Sequence, residues 1–486
     1  MTITKSDFMT FRNCPADFWM KKHKPHLFSG NNPSDFEKQL QQQGYEVESV
    51  ARLLFKDGIE VPGNDPASTS DFLSQNHRTL FQPSFAADGL SARVDILVVE
   101  DDGLHLYEVK GSTAKEKTRE DYYWDAGFQK HVIELAGYKV AKVFLLELNK
   151  EYIRSGDIDP DEIMSAKEIT QEIYDNHIEL KMEVHKAKVC LALGTEPISC
   201  DCFYKIRNNH CDSFTHFYSI PDYSIHDIIN IRKGKIEKFE AEGVISIVDI
   251  QDYSSLTDIQ LNQVITHQND HLIIKHTEIR NAISSLAYPL YFLDYETYPS
   301  AIPVFDGCFP YQQVPFQYSL HIQNEPDGPF EHKEFLHSTN RSPIHAIAAS
   351  LRNDIGDTGS VIVWNQTFEG SRNKELAAAN PELAHFLLGL NGRFFDLMKV
   401  FSNQYYVHKS FKGRTSIKKV LPVLCPHLTY ETLGIKDGGA ASTAWKYMVF
   451  EDLSTDQKDL IAHDLLEYCK LDTLAMVEIL AFLKGI

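Results

Sequence analysis

The sequence predicts an α/β protein of two modules with a helical segment between them. Three observations lead there. First, SARVDILVV and LHLYEVK, joined by EDDG, read as a strand–turn–strand unit within 91–110, between helix-patterned stretches at 33–56 and 118–138. Second, the apolar pattern resumes sharply at 288, where YPLYFLDYETY and VIVWN read as short strands. Third, the closing DQKDLIAHDLLEYCKLDTLAMVEILAFLKGI reads as an amphipathic helix. Strands alternating with helices predict α/β architecture. The expected boundaries are 1–220, a polar connecting helical module at 221–285, and 286–486.

Composition bounds the function classes. The chain has 486 residues, with 48 Lys+Arg against 68 Asp+Glu and a formal charge of −20. Hydrophobic residues at 43% and charged residues at 24% are ordinary for a globular protein and exclude disorder, collagen and coiled coil as whole-chain descriptions. No stretch approaches the roughly 18 apolar residues of a membrane span. MTITKSDFMTFRNCP has no apolar h-region, so no secretory signal and a cytoplasmic location are expected. A chain this acidic is a poor nonspecific polyanion binder, and contact with nucleic acid would need local basic patches. Two are present: Lys110, Lys115, Lys117 and Arg119; and Lys409, Lys412, Arg414, Lys418 and Lys419.

In chain order, Val47, Val50, Ala51 and Leu54 fall at helical spacing within 33–56. The hairpin follows. A two-residue turn at Asp101-Asp102 sets Asp95 opposite Glu108, and a turn at Asp102-Gly103 sets it opposite Lys110. Either register puts Asp95, Glu108 and Lys110 on one face, because side chains alternate with period two. Two carboxylates can hold Mg²⁺ or Mn²⁺, and a lysine can orient a nucleophile or stabilise an anionic transition state. A surface hairpin with a salt bridge would show the same pattern. KVFLLEL returns to strand, and DPDE at 159–162 opens a long helical zone that ends in SCDCFYKIRNNHC. Cys200, Cys202 and Cys211 lie there, within twelve residues, and with Cys14 they form a candidate metal-ligand set. Cys190 is an alternative to Cys202, while Cys308, Cys425 and Cys469 read as core thiols. In the last module Asp294 and Glu296 are expected at a strand end, two apart on one face. Tyr468 and Asp472 are four apart on one helix face, and Glu369 lies between the two pairs in WNQTFE.

These residues carry resemblances. RVDILVV followed by YEVKGS resembles the PD-(D/E)XK nucleases, specifically the RecB-like branch that includes CRISPR-associated adaptation exonucleases. DYYWDAGFQKHVIELAGYKV is similar to that branch's helix bearing a glutamine, which implies a site role for Gln129. GYEVESVARLLF resembles its first helix and would place Glu48 near the metal, although an exposed helical Glu is the plainer reading. One Cys before the nuclease core and three after it resembles the iron–sulfur members, which implies a [4Fe-4S] cluster on Cys14, Cys200, Cys202 and Cys211, with Zn²⁺ as the alternative. The ordered set Asp294-x-Glu296, Glu369 and Tyr468-x-x-x-Asp472 resembles the DEDD exonucleases of the ribonuclease H-like fold, with Glu369 where Asp is usual and Asp396 as a rival or additional acid. The resemblance implies two-metal hydrolysis, with cations on Asp294, Glu296 and Asp472 and an attacking water oriented by Tyr468. KSFKGRTSIKK would contact a strand through its cations and through stacking on Phe411. The chain as a whole resembles a bacterial family of uncharacterised proteins joining two such modules. The expectation is a metal-dependent nuclease on DNA ends or single strands, in repair or defence. The alternatives are a nucleic-acid-binding protein with degenerate sites and an RNA-processing exonuclease.

Overall fold

The computed structural model describes residues 1–28, 35–115 and 119–486. Lys117 and the ends of two expected helices, 33–34 and 118, lie outside the described residues. The architecture is mixed α/β. The chain divides into two compact units, one of residues 1–219 and 300–311, the other of 220–299 and 312–486. Among the described residues no helix is long and apolar enough to cross a membrane.

Among the described residues the first unit holds nine strands: β1 (Ile3–Thr4), β2 (Ile59–Glu60), β3 (Thr79–Phe81), β4 (Ser84–Ala87), β5 (Leu90–Arg93), β6 (Ile96–Glu100), β7 (Gly103–Thr113), β8 (Val140–Leu148) and β9 (Met164–Glu168). They form a three-stranded sheet ordered β1-β5-β4 and a six-stranded sheet ordered β2-β3-β6-β7-β8-β9. SARVDILVV is therefore two strands in two sheets. The neighbouring chain switches sheet at the same level: Gln82 N donates to Asp95 O, Val94 N donates to Pro83 O, and Gln82 turns the corner at φ 54°. Asp95 sits at that corner. The β6–β7 ladder runs from Ile96 opposite Tyr107 to Glu100 opposite Gly103, so Asp101-Asp102 is the turn.

Strands β7 and β8 are parallel and need a crossover, which the helix Glu120–Leu135 supplies. Leu97, Leu104 and Leu106 share a core with Phe128 and Val132 of that helix. On the opposite face Val47 and Ala51 of the helix Asp35–Arg52 pack with Ile96 and Leu146, and Val50 and Leu54 are half-buried beside them. Glu108 and Lys110 continue the parity of Leu104 and Leu106, so β7 carries them toward the helix Glu120–Leu135. The helix expected at 159 is only Pro160–Ile163. The next five residues form β9, because the free edge of β8 pairs with them from Leu148 opposite Met164 onward. The long helix is His177–Ala192.

In the second unit, β10 (Ile273–Ile274) is followed by β11 (Leu290–Pro299), β12 (Gln313–Gln323), β13 (Phe330–Leu336), β14 (Ser360–Val363), β15 (Phe394–Asp396) and β16 (Tyr406–Val407). The main sheet is ordered β13-β12-β11-β14-β15. Its first three strands are antiparallel, and β14 and β15 run parallel to β11. The 30-residue helix Thr455–Lys484 packs on the sheet, where Thr473 bonds Ser319 and His321, and Gln317 donates to Leu465 O. Helices Lys233–Ala241, Asp258–Gln268 and His276–Ser284 belong to this unit. Asp294 and Glu296 lie within β11, not at its end. Tyr295, Thr297 and Tyr298 keep the strand paired to Pro299, across a bulge just after Glu296.

Candidate functional site

Three groups of side chains stand out, two in the first unit. At the sheet corner, Asp95 Oδ2 accepts from Val109 N at 2.8 Å. Glu108 is almost fully buried, and its oxygens are fully engaged. Lys5 and Lys110 donate to Oε1 at 2.9 and 2.8 Å, and Gln129 Nε2 donates to Oε2 at 2.6 Å. Lys110 also bonds Asp125, and Lys5 lies 3.3 Å from Asp125 Oδ1. The structure thus brings Asp95, Glu108, Lys110 and Gln129 together and adds Lys5 and Asp125, which sequence reasoning missed. Asp125 was within reach, four residues before Gln129 on the same helix face. Lys5 was not, since 103 residues separate it from Glu108.

Glu48 is not the exposed helical Glu expected. Its Oε1 accepts from Arg52 at 2.7 Å and from Gln82 Nε2 at 2.6 Å, and Gln82 Nε2 also lies 3.4 Å from Asp95 Oδ1. The two central carboxylates are driven apart. Burial, then the Glu108 charge, pushes Asp95 up to about 8 against the pull of Lys5. Burial would raise Glu108 too, but Lys5, Lys110 and the hydrogen bonds outweigh it and hold Glu108 well below the usual range. One acid stays ionised while its neighbour is poised near neutrality. Asp95 and Glu108 could grip a divalent cation in place of the Lys5 ammonium.

The second group is Cys14, Cys200, Cys202 and Cys211. All four are buried and their sulfurs lie within 4.8 Å of one another. Cys200 and Cys211 are 3.8 Å apart. Cys14 is placed by a helix junction, ending Lys5–Asn13 and capping Pro15–His23, where its Sγ accepts from Asp17 N at 3.4 Å. Cys190 is outside the group and faces Pro15 O instead. Thiols of Cys200 and Cys211 donating to Cys14 pull it down to about 2, while Cys200 is pushed up to about 12. A metal bound there would be held by four thiolates. The Cys200–Cys211 separation of 3.8 Å is that of two ligands on one tetrahedral ion with metal–sulfur bonds of about 2.3 Å.

The third group is in the second unit. Asp294 and Glu296 come from β11, Glu369 from the first turn of the helix Gln366–Ala379, and Tyr468 and Asp472 from the helix Thr455–Lys484. Asp294 is raised far above its ordinary range by burial, then by Asp472, Glu296 and Glu369. Glu296 is raised by burial and Asp472. Burial pushes Glu369 up to about 8, with Asp396 adding to it. Asp472 reaches only about 6; burial raises it, and Tyr430 and Lys418 hold it down. Tyr430 OH donates to Asp472 Oδ1 at 2.6 Å, and Lys418 Nζ donates to Tyr468 OH at 3.1 Å. Glu369 Oε2 and Asp396 Oδ1 are buried with no hydrogen-bond partner. Gathered carboxylates with orphaned oxygens are a costly arrangement that a divalent cation would relieve.

Sequence reasoning missed Tyr430. Cys469 is a buried core thiol, as expected, and it also lies against the acids, within 4.8 Å of Asp294 and Glu296. Phe411 is not where it was expected. It is buried against Phe401 and Tyr406 and is closed to stacking with a strand. Of the basic patches, Lys110 and Lys418 point into sites, and Lys409 pairs with Asp270 at 2.6 Å.

Residues 291–416 match the family described as "Domain of unknown function (DUF2779)". The chain is 26% identical over 360 residues to "Uncharacterized protein UU173" of Ureaplasma parvum, covering 67% of this chain and 50% of that one. It is 26% identical over 231 residues to "Uncharacterized protein MG366" of Mycoplasma genitalium, covering 43% and 34%. The Mycoplasma pneumoniae homologue of MG366 gives 26% over 211 residues, covering 40% and 32%. The chain therefore spans half or less of the length of these relatives.

Proposed function

We propose that the protein is a divalent-metal-dependent nuclease with one phosphodiester-hydrolysing site in each unit, acting on DNA ends or single strands. The observation that carries this reading is the gathering of Asp294, Glu296, Glu369 and Asp472 from one strand and two helices, with Lys418 the cation that acts on Asp294, Glu296 and Asp472 and Arg372 the one that acts on Glu369. The sheet that holds them supports it. Three antiparallel strands continued by two parallel ones, in the order 3-2-1-4-5, agree with the ribonuclease H-like fold that the sequence resembles. In the first unit, a helix, an antiparallel hairpin, a crossover helix and a parallel strand carry Glu48, Asp95, Glu108, Lys110 and Gln129 in the order of the PD-(D/E)XK resemblance.

Mg²⁺ or Mn²⁺, when bound, would lower the pKa of a water and offset charge on the phosphate. Asp95 and Glu108 would hold it in the first unit, and Asp294, Glu296, Glu369 and Asp472 in the second. The protein's own groups do the rest. Gln129 fixes the Glu108 carboxylate, and Lys110, freed from Asp125, supplies an ammonium for the anionic transition state. Asp95, held largely protonated at neutral pH in the metal-free chain, would give up its proton on binding the cation. In the second unit Lys418 fills a lone pair of the Tyr468 hydroxyl, leaving its proton free to bond Asp472 or an attacking water. The four cysteines form a metal centre tying Cys14 to the segment 200–211. The iron–sulfur resemblance implies [4Fe-4S], and the sulfur spacing supports one Zn²⁺.

End-labelled single- and double-stranded DNA and RNA, incubated with the full chain and Mg²⁺ or Mn²⁺, test the reading. DNA shortened from an end is expected; an RNA-only product would make this an RNA-processing enzyme. Metal content after anaerobic, iron-replete purification decides the cysteine centre: about four irons and a brown colour for the cluster, or one zinc and no colour.

A further inference from the structure

The helix Thr455–Lys484 turns three chemically distinct side chains toward the second unit's acids: Tyr468, Cys469 and Asp472. A buried free cysteine ordinarily behaves as a small hydrophobe. Cys469 is fully buried, yet its sulfur lies 3.9 Å from Asp294 Oδ2 and within 4.8 Å of carboxylate oxygens of both Asp294 and Glu296. A second, independent feature points to a missing guest. Glu369, 3% exposed, raises Asp294 by its charge and leaves Oε2 without a hydrogen-bond partner.

We propose that Cys469 is a ligand of the second unit's metal, so that this site prefers a borderline-soft divalent ion of the zinc, cobalt or iron(II) class over magnesium. The inference rests on reading this cluster as a metal site and narrows it to a mixed oxygen–sulfur one. All-oxygen sets suit hard ions, whereas one thiolate shifts selection toward softer ones. Binding breaks the Sγ–H bond, releases its proton to solvent and forms a metal–sulfur bond; no oxidation state changes. Position on the helix supports the assignment, because Cys469 and Asp472 are three apart and share a face.

Cadmium is a suitable probe, because its bond to a thiolate absorbs in the ultraviolet. The full chain is reduced, stripped of metal and titrated with Cd²⁺ while absorbance and heat are recorded, then titrated again with Mg²⁺. The four-cysteine centre contributes equally in each variant, so the readout is the difference between wild type and Cys469→Ser. Wild type should show one thiolate's additional absorbance, and Cys469→Ser should lose it, together with about tenfold of the cadmium-over-magnesium preference. Asp294→Asn, which leaves the cysteine in place, should lose the same increment, because both residues share one ion. Equal spectra for folded wild type and Cys469→Ser overturn the proposal. If Cys469→Ser does not fold, an undiminished increment in Asp294→Asn overturns it as well. Asp294-dependent metal binding without a thiolate band overturns the sulfur ligand alone. No Asp294-dependent binding of either metal overturns both the ligand and the metal-site reading.

Discussion

The two acidic sites answer the same electrostatic problem in opposite ways. In the first unit the chain supplies its own cations: Lys5 and Lys110 reach Glu108 and Asp125, and Gln129 completes the hydrogen bonding. Glu108 is ionised as a result. In the second unit four carboxylates converge, with Lys418 pulling on Asp294, Glu296 and Asp472 and Arg372 on Glu369, yet Asp294, Glu296 and Glu369 are pushed upward. The difference teaches which site is complete in the bare protein. The first is a closed ion-pair network that a bound metal would have to open. The second leaves its acids under-compensated in the bare protein.

The largest expected effect separates the two chemistries. In a chain already carrying Asp294→Ala, adding Lys110→Ala should lower the remaining cleavage by about a thousandfold, as loss of a transition-state cation does. Circular dichroism should show the fold intact. Unchanged cleavage would remove Lys110 from the chemistry.

Stability should move in opposite directions at the two sites. Glu108→Gln leaves the half-buried Lys5 and Lys110 ammonium groups with only Asp125 as an acid between them and should lower metal-free stability by about 2 kcal/mol. Glu369→Gln removes an acid already held protonated, and should leave metal-free stability unchanged or raise it by up to about 1 kcal/mol. Chemical denaturation of both variants checks this, and equal losses would erase the contrast.

The pH dependence of the metal-free protein follows with the same sign. Glu369 and Asp95 sit near 8 in the folded chain, against 4.5 and 3.8 ordinarily, so the native state binds more protons between those values. Their contribution is fully present below about pH 4 and is lost as pH rises toward 8. Glu108, depressed on folding, contributes above its ordinary 4.5 and loses that contribution as pH falls through its folded value. Melting curves of metal-free wild type and Glu369→Gln between pH 5 and 8 should show a shallower decline in the variant. Parallel declines would mean Glu369 ionises normally. The smallest effect is Tyr468→Phe, about tenfold in kcat with KM unchanged, because it removes only a hydroxyl that orients water.

The contrast also explains what could be read from residues alone. Period-two alternation places Asp95, Glu108 and Lys110 on one face whichever turn forms, so that set was visible. The i, i+4 rule did the same for Tyr468 and Asp472. Lys5 was invisible because only the tertiary fold brings the first helix to β7. Cys469 is the buried thiol expected, but its closeness to Asp294 and Glu296 could not be read from a single cysteine in an apolar helix. The break of SARVDILVV into two strands depends on the neighbouring chain changing sheet at Gln82, which no local pattern records. Likewise β9 exists because β8 offers it an edge, and pairing overrode a helical pattern.

The central claim, two independent metal-dependent hydrolytic sites, is tested most directly by Asp95→Asn, Asp472→Asn and the double variant on end-labelled single-stranded DNA with Mn²⁺ or Mg²⁺. The account predicts cleavage by wild type that a chelator stops, partial loss in each single variant, and none in the folded double variant. A double variant that cleaves as well as wild type, or a folded, metal-loaded wild type that cleaves neither DNA nor RNA, would contradict it.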